Sequence, residues 1–461
     1  METIFAYSGE LLESITDPAS RATTFVYDDN GNIAQVTFPD QTSKTFGYDH
    51  RHLMTTEVDE RGHKYERFYD DSGRYTRGIR PDGAIHNVTN QVSSSLNSGS
   101  ESSPSPVVRR DKFKATFSDG NNNTRSSKTD KFGRLIESTD ANDLVTTTDR
   151  DKDGNAIRTV RPDLSEVTRV FDDNGNVLTR TESFNGAVST YTYDPLFNLM
   201  LSQTDARGHT MTYVRDERGN VIESVNHLGH TALFTYLDSG LIETTTSPNG
   251  LVTEYQYNSL QLLETLTETP STDGGVVRIS SFEYFDSGLA KTVTTPDGII
   301  YQFTYDERSR LRTVTDNLGQ EFETIYDTYG NVSGTNTKSS AGDIVLELEN
   351  FYDELHRLDA TKAPHKEGAL SESFVEYDLD GNVIESLDPN VQLTKNIYDP
   401  GNRLDQIENA ENGVTDFDYD ANNNVQSIKS PNGATTTFEY DSLSRLSLEQ
   451  SPDRGDTRYA Y

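Results

Sequence analysis

The sequence predicts an all-β repeat protein, built from tandem antiparallel β-hairpins of about 21 residues each. Three observations carry that expectation: a Tyr-Asp pair recurs at a fixed step, each step holds two turn signals, and aromatic residues alternate on the strand entering each pair. Tyr-Asp pairs fall at Tyr27, Tyr48, Tyr69, Tyr193, Tyr305, Tyr326, Tyr352, Tyr377, Tyr398, Tyr419 and Tyr440. Degenerate versions occupy Arg150-Asp151, Phe171-Asp172, Arg215-Asp216, Tyr236-Leu237, Tyr257-Asn258 and Tyr284-Phe285. Self-similarity at such a period marks a repeat architecture, which grows without adding separate globular cores.

Turn chemistry selects hairpins over the rival parallel β-helix. Four residues after the anchor comes a Gly such as Gly31, Gly73, Gly154, Gly219 or Gly330, often followed by Asn or Arg. Fourteen or fifteen residues after it comes another, such as Gly62, Gly83, Gly208, Gly250 or Gly433, commonly preceded by Asp, Asn or Leu. Glycine supplies positive φ without a Cβ clash, and Asp or Asn bonds the backbone two residues on. Two turns per repeat leave two strands of about six residues, joined antiparallel.

Pairs such as Phe25/Tyr27, Phe46/Tyr48, Phe234/Tyr236, Phe303/Tyr305 and Phe438/Tyr440 stand two residues apart. Alternation puts both rings on one face of the strand, and stacked repeats are expected to align them in ladders on adjoining strands. A single hairpin buries too little to fold alone, so the array stands as a stack. The helix-like composition of residues 344–358 contains the anchor Tyr352-Asp353 and is read as strands with a longer loop. The phase lapses where Ser, Asn, Gly and Pro dominate. The predicted organisation is therefore an array over residues 1–89, an insertion or linker with a degenerate repeat over 90–128, and an array over 129–461.

Composition narrows the function. Hydrophobic residues make up 32% of the chain, below the usual roughly 45–50%, yet it holds 24 Tyr and 20 Phe. Burial is thus concentrated in aromatics. A formal charge of −34 repels phosphate backbones and anionic lipid, so neither nucleic acid nor membrane insertion is expected. The absence of cysteine excludes disulfides and thiolate metal sites. No signal peptide is visible at the N-terminus.

Chemistry is sparse. Asp149, Asp151 and Asp153 precede Gly154 with the spacing of a calcium loop, although the twelfth position is Val160 in place of the bidentate Glu. The structural alternative makes Asp151 and Gly154 the anchor and turn of this repeat. No other cofactor is expected. His63, His209 and His230 occupy one repeat slot, which points to a local structural role, since a catalytic residue is needed once. No nucleophile elbow or phosphate-cradling loop appears, and an enzyme is not expected.

The segments YDDNGNIAQVTFPDQTSKTFGYD, KTDKFGRLIESTDANDL and YDLDGNVIESLDPN resemble the YD repeats of Rhs proteins, insecticidal toxin complexes and teneurins. The resemblance implies a long sheet that spirals into a hollow shell, which in bacterial members encloses a C-terminal toxin released by aspartyl self-cleavage. The chain reaches Tyr461 without the terminal core motif, the cleavage segment or a toxin domain. The expected function is a structural shell segment of a large secreted or cell-surface bacterial protein. Its partners would be further repeats and a C-terminal toxin domain of the parent polypeptide. The alternative is a surface adhesion array in which exposed tyrosines bind glycans.

Overall fold

The computed structural model describes residues 2–90, 112–183, 186–272, 274–364, 370–441 and 444–460. Its described residues form 41 β-strands, from Ile4–Ser8 to Gly455–Arg458, and among them no helix is long and apolar enough to cross a membrane. The chain divides into two compact units. One holds Met1–Lys64 and Tyr191–Glu372, the other Tyr65–Thr190 and Ser373–Tyr461. Within each unit, strands pair antiparallel with their neighbours in sequence, which is the tandem-hairpin fold that the two turns per repeat predict.

The repeat containing Tyr27 illustrates the local rules. Strand Ala22–Tyr27 turns through Asp28 to Asn32 into strand Ile33–Thr37. The Gly31 N–H donates to the Asp28 carbonyl and the Asp28 N–H to the Asn32 carbonyl, at 3.0 and 2.8 Å. With Gly31 at φ 81°, this is a tight turn closed by a left-handed residue. The register then slips between Val26 and Tyr27, a bulge that returns at the same place in the Tyr48, Tyr69, Tyr305 and Tyr419 hairpins.

Pairing across the second turn is short. Ser14–Thr16 meet Ala22–Thr24, and Gln35–Thr37 meet Ser43–Thr45, over three residues each. Across the anchor turns the ladder runs four to six residues. Neighbouring hairpins are therefore joined by backbone near the second turn and need another bond at the anchor end.

The aromatic ladder differs from expectation. Phe25 and Tyr27 do not lie on a strand adjoining that of Phe46 and Tyr48, because strand Ile33–Thr37 runs between them. Each repeat supplies two strands, and in these repeats only the one entering the anchor carries the aromatic pair. Phe25 accordingly faces Val36, and Tyr27 faces Ile33. Aromatic against branched aliphatic is itself a favourable cross-strand pair.

Of the stretch 90–128, the described part belongs to the ladder. Strand Lys112–Ser118 pairs with Ile85–Asn90 on one side and Thr124–Asp130 on the other. Residues 91–111, which include most of the Ser-rich stretch, lie outside the described residues.

The left-handed slot is not always glycine. Leu164 and Val391 hold it at φ 67° and 61° in second turns, and both side chains project into solvent. A β-branched residue in this region costs about 1–2 kcal/mol. Changing Val391 to Gly should stabilise the unit holding it by about 1 kcal/mol after the entropy of glycine is counted, read as a rise in urea midpoint without a change in m.

Candidate functional site

The repeat anchors explain their own chemistry. Half-buried Tyr27 sends its hydroxyl to the Leu12 carbonyl at 2.9 Å, at the end of the neighbouring hairpin where backbone pairing has stopped. Tyr236, Tyr257, Tyr326, Tyr419 and Tyr440 repeat the bond to Val221, Ile242, Leu311, Leu404 and Val425, each fifteen residues back. Tyr352 reaches Val332 twenty residues back, because its repeat is longer. From Tyr236 onward, each of these acceptors is the sixth residue after the previous anchor. Burial pushes the phenols of Tyr48, Tyr257, Tyr305, Tyr398, Tyr419 and Tyr440 above their ordinary pKa.

Where arginine stands at the anchor the same bond survives. Arg150 donates through Nε to the Leu135 carbonyl at 3.0 Å and through Nη1 to Gly154, and Arg215 makes the equivalent pair to Met200 and Gly219. Both residues bring to the slot a long side chain with a donor at its tip, which is what this bond uses. Removing the Tyr257 hydroxyl by substitution with Phe leaves the Ile242 carbonyl without it. The expected loss is about 1–2 kcal/mol, measurable by urea denaturation against the wild-type chain.

The aspartate after the tyrosine is the turn's clasp. Asp28 Oδ1 accepts the N–H groups of Asn30 and Asn32 at 2.9 Å, while Oδ2 accepts Asn32 Nδ2 at 2.8 Å. Arginine takes the place of Asn as the Oδ2 donor in other repeats: Arg74 to Asp70, Arg134 to Asp130, Arg310 to Asp306, Arg357 to Asp353 and Arg403 to Asp399. Hydrogen bonds from Asn32, Arg74, Asn155 and Asn220 hold Asp28, Asp70, Asp151 and Asp216 below the usual carboxylate range. Asp49, against the raising effect of desolvation, is brought to about 2 by the Arg51 guanidinium and the N–H groups of Leu53 and Arg51.

A carboxylate whose folded pKa is depressed contributes stability above its unfolded value of roughly 4, and that contribution is lost as pH falls through the folded value. The clasps of Asp28, Asp49, Asp70, Asp151 and Asp216 should therefore weaken as pH falls from about 4 toward about 2, the value to which Asp49 is brought. Far-ultraviolet circular dichroism against pH is expected to lose its β signal in that window and to stay flat from about pH 5 to about pH 8.

The three carboxylates of the candidate calcium loop are turned to different partners. Asp151 Oδ1 accepts from the N–H groups of Asp153, Gly154 and Asn155, and Oδ2 from the Asn155 amide. Asp149 pairs with Arg158 at 3.0 Å and Asp153 with Lys152 at 3.0 Å. Among the described residues no group of three His, Cys, Asp or Glu is placed to hold a metal. His63, His209 and His230 share one geometry: their backbone N–H groups donate to Asp59, Asp205 and Asn226 at 2.8, 2.8 and 3.0 Å. A cavity of about 520 Å³ in the unit of Tyr65–Thr190 and Ser373–Tyr461 is walled by Phe117, Arg125, Leu135 and Asp140, and among the described residues no histidine lines it.

What sequence reading missed is a seam inside each unit, where second turns of the earlier segment meet anchor turns of the later one. In the unit holding Met1–Lys64, Arg61 donates to Asp327 Oδ2 at 2.9 Å and to the Asp353 carbonyl at 3.1 Å, with its guanidinium 4.4 Å from the Tyr329 ring centre. Arg308 pairs with Asp40 and lies 4.6 Å from the Phe38 ring centre. Buried Asp59 faces His356 Nε2 at 3.2 Å.

The other unit has its own seam. The Gly120 N–H donates to Asp380 Oδ1 at 2.8 Å, Asn121 Nδ2 to Asp378 at 2.9 Å, and Asn422 Nδ2 to Asp163 at 2.7 Å. The Gly401 N–H reaches Asn142 Oδ1 at 3.1 Å. Most of these residues stand third in their turns. That slot holds Asp, Asn or Arg at Asp40, Arg61, Asn121, Asn142 and Asp163, a signal the sequence carries without saying what faces it.

Comparison with known proteins agrees with this architecture. Residues 8–43, 27–64, 171–210, 286–321 and 419–461 match the RHS Repeat family. No curated protein sequence matches. The crystal structure of TcdB2-TccC3 without its hypervariable C-terminal region superposes with a TM-score of 0.61 at 12% identity, over 100% of this chain and 31% of that one. TcdB2-TccC3-TEV gives 0.59 at 12% identity, over 99% and 30%. The Photorhabdus luminescens Tc holotoxin pore gives 0.57 at 12% identity, over 97% and 30%. The chain thus spans about 30% of the length of the proteins whose fold it shares. The class is an all-β array of tandem hairpins. Within it, the matched segments carry repeats of the RHS type.

Proposed function

We propose that this chain is wall: a segment of a shell that encloses a toxin carried elsewhere on the parent polypeptide, in an extracellular bacterial protein. The observation that carries the reading is the seam within each unit, where third-position turn residues sew one row of turns to another and so close gaps that a freely hanging sheet would leave. The shared fold with TcdB2-TccC3 supports it, as does a charge of −34 that keeps such a surface soluble and unattractive to nucleic acid. The adhesion reading draws on exposed tyrosines, and the anchor hydroxyls are instead turned to carbonyls of the sheet.

The test is protease protection. The complete reading frame that contains this chain is expressed and digested under native conditions, and the fate of its C-terminal segment is followed by mass spectrometry. Protection in the wild type, lost when Arg61 and Gly120 are both changed to Ala, supports enclosure. Digestion of the C-terminal segment at the same rate in both proteins counts against it.

A further inference from the structure

On the face that carries the aromatics, several hairpins set an aromatic two before the anchor directly opposite an apolar partner, while others set it opposite a polar one, as Phe46 against Glu57 and Phe234 against Thr245. Phe25 faces Val36, Tyr255 faces Leu266, Phe282 faces Val293, Phe303 faces Val314, and Phe417 faces Ile428. In the hairpin of strands Glu166–Phe171 and Val177–Glu182 the same two slots hold Arg169 and Arg180. Like charges directly opposite on neighbouring strands destabilise a sheet, so this exchange of an apolar pair for two guanidiniums asks for a compensating charge.

Protein groups supply part of it. Glu182, 3% exposed, pairs with Arg180 and, at 3.3 Å, with Arg161, so one carboxylate already serves two guanidiniums. The bonds Arg169 donates go to neutral oxygens, the Ala156 carbonyl at 3.4 Å and Thr159 Oγ1 at 3.3 Å. Burial, then Arg180, and then Arg161 against the pull of Glu182, push the Arg169 guanidinium below its ordinary value. Ser189 stands opposite Arg180 on the next strand and adds a hydroxyl to the neighbourhood. Arg180 keeps a third of its side chain in solvent, which leaves a way in.

We propose that Arg169 and Arg180, with Arg161 beside them, form a binding site for a phosphate-class oxyanion. Planar guanidiniums bind such oxygens two at a time, and a half-buried setting strengthens the bond. The chain as a whole repels anions, so a response to phosphate would report a local site and not a general field.

The experiment titrates the full chain with inorganic phosphate at constant ionic strength, by calorimetry and by thermal melting, with chloride as reference and succinate as a carboxylate of equal charge. Wild type should bind phosphate and melt higher in it than in chloride or succinate. Arg169→Phe, which restores the aromatic found in other repeats, should melt at or above wild type in chloride and bind phosphate roughly tenfold to a hundredfold less tightly. Arg169→Gln should show the same loss of affinity, and it carries the test should the Phe variant not fold. An unchanged phosphate response in either folded variant, no response in wild type, or equal stabilisation by succinate would overturn the assignment.

Discussion

Replacing Arg61 with alanine is expected to destabilise the unit of Met1–Lys64 and Tyr191–Glu372 by about 3 kcal/mol. The side chain is 16% exposed and gives up several bonds at once: the Asp327 carboxylate, the Asp353 carbonyl and the stack over Tyr329. Lysine keeps the charge and cannot span these partners with one ammonium, so Arg61→Lys should recover less than half of the loss. Hydrogen exchange resolves the effect in space. Amides in the turns at residues 327–330 and 353–356 should exchange faster in the variant, whereas those around Val252–Tyr257, away from the seam, should change only as far as global stability does.

Gly120→Ala should be comparably costly in the other unit, and for a steric reason. A Cβ at Gly120 would lie 2.3 Å from the Leu379 carbonyl oxygen and 2.9 Å from its carbon, both backbone atoms that cannot rotate aside. The turns must then part, which forfeits the bond from the Gly120 N–H to Asp380 and the one from Asn121 to Asp378. An overall loss of about 2–4 kcal/mol follows from overpacking together with two lost charge-assisted hydrogen bonds. Urea denaturation measures it. Gly120 has no left-handed φ, so its loss is steric, whereas Gly83→Ala, at a left-handed φ of 82° with nothing within 4 Å of the added atom, gives the separate cost of backbone strain for comparison.

Much of the hairpin was legible because its causes are local. Tyr27, Asp28, Gly31 and Asn32 act on one another or on the adjoining hairpin, so their spacing announces the turn, the clasp and the tether. Arg150 and Arg215 were recognisable as displaced anchors from phase alone, but the bond they inherit from tyrosine needed coordinates. Turns that use Leu164 or Val391 in place of glycine escape a reading based on Gly. The aromatic ladder was misjudged because a step of about 21 residues carries two strands, and the eye aligns repeats where the sheet aligns strands. The seam was illegible for another reason. Arg61 and Asp327 are 266 residues apart and Asn422 and Asp163 are 259 apart, and nothing local to any of them names its partner.

The three-residue ladder between hairpins bears on how such a polypeptide would come apart under load. Pulled from its ends, a sheet joined this way should yield one hairpin at a time, each tyrosine tether breaking with its short backbone ladder. Every event would release about 21 residues, or roughly 70 Å of contour, so an optical-trap trace should climb in evenly spaced teeth. A polypeptide with that behaviour could be threaded through a narrow opening in small, repeated increments, without the whole array having to melt at once.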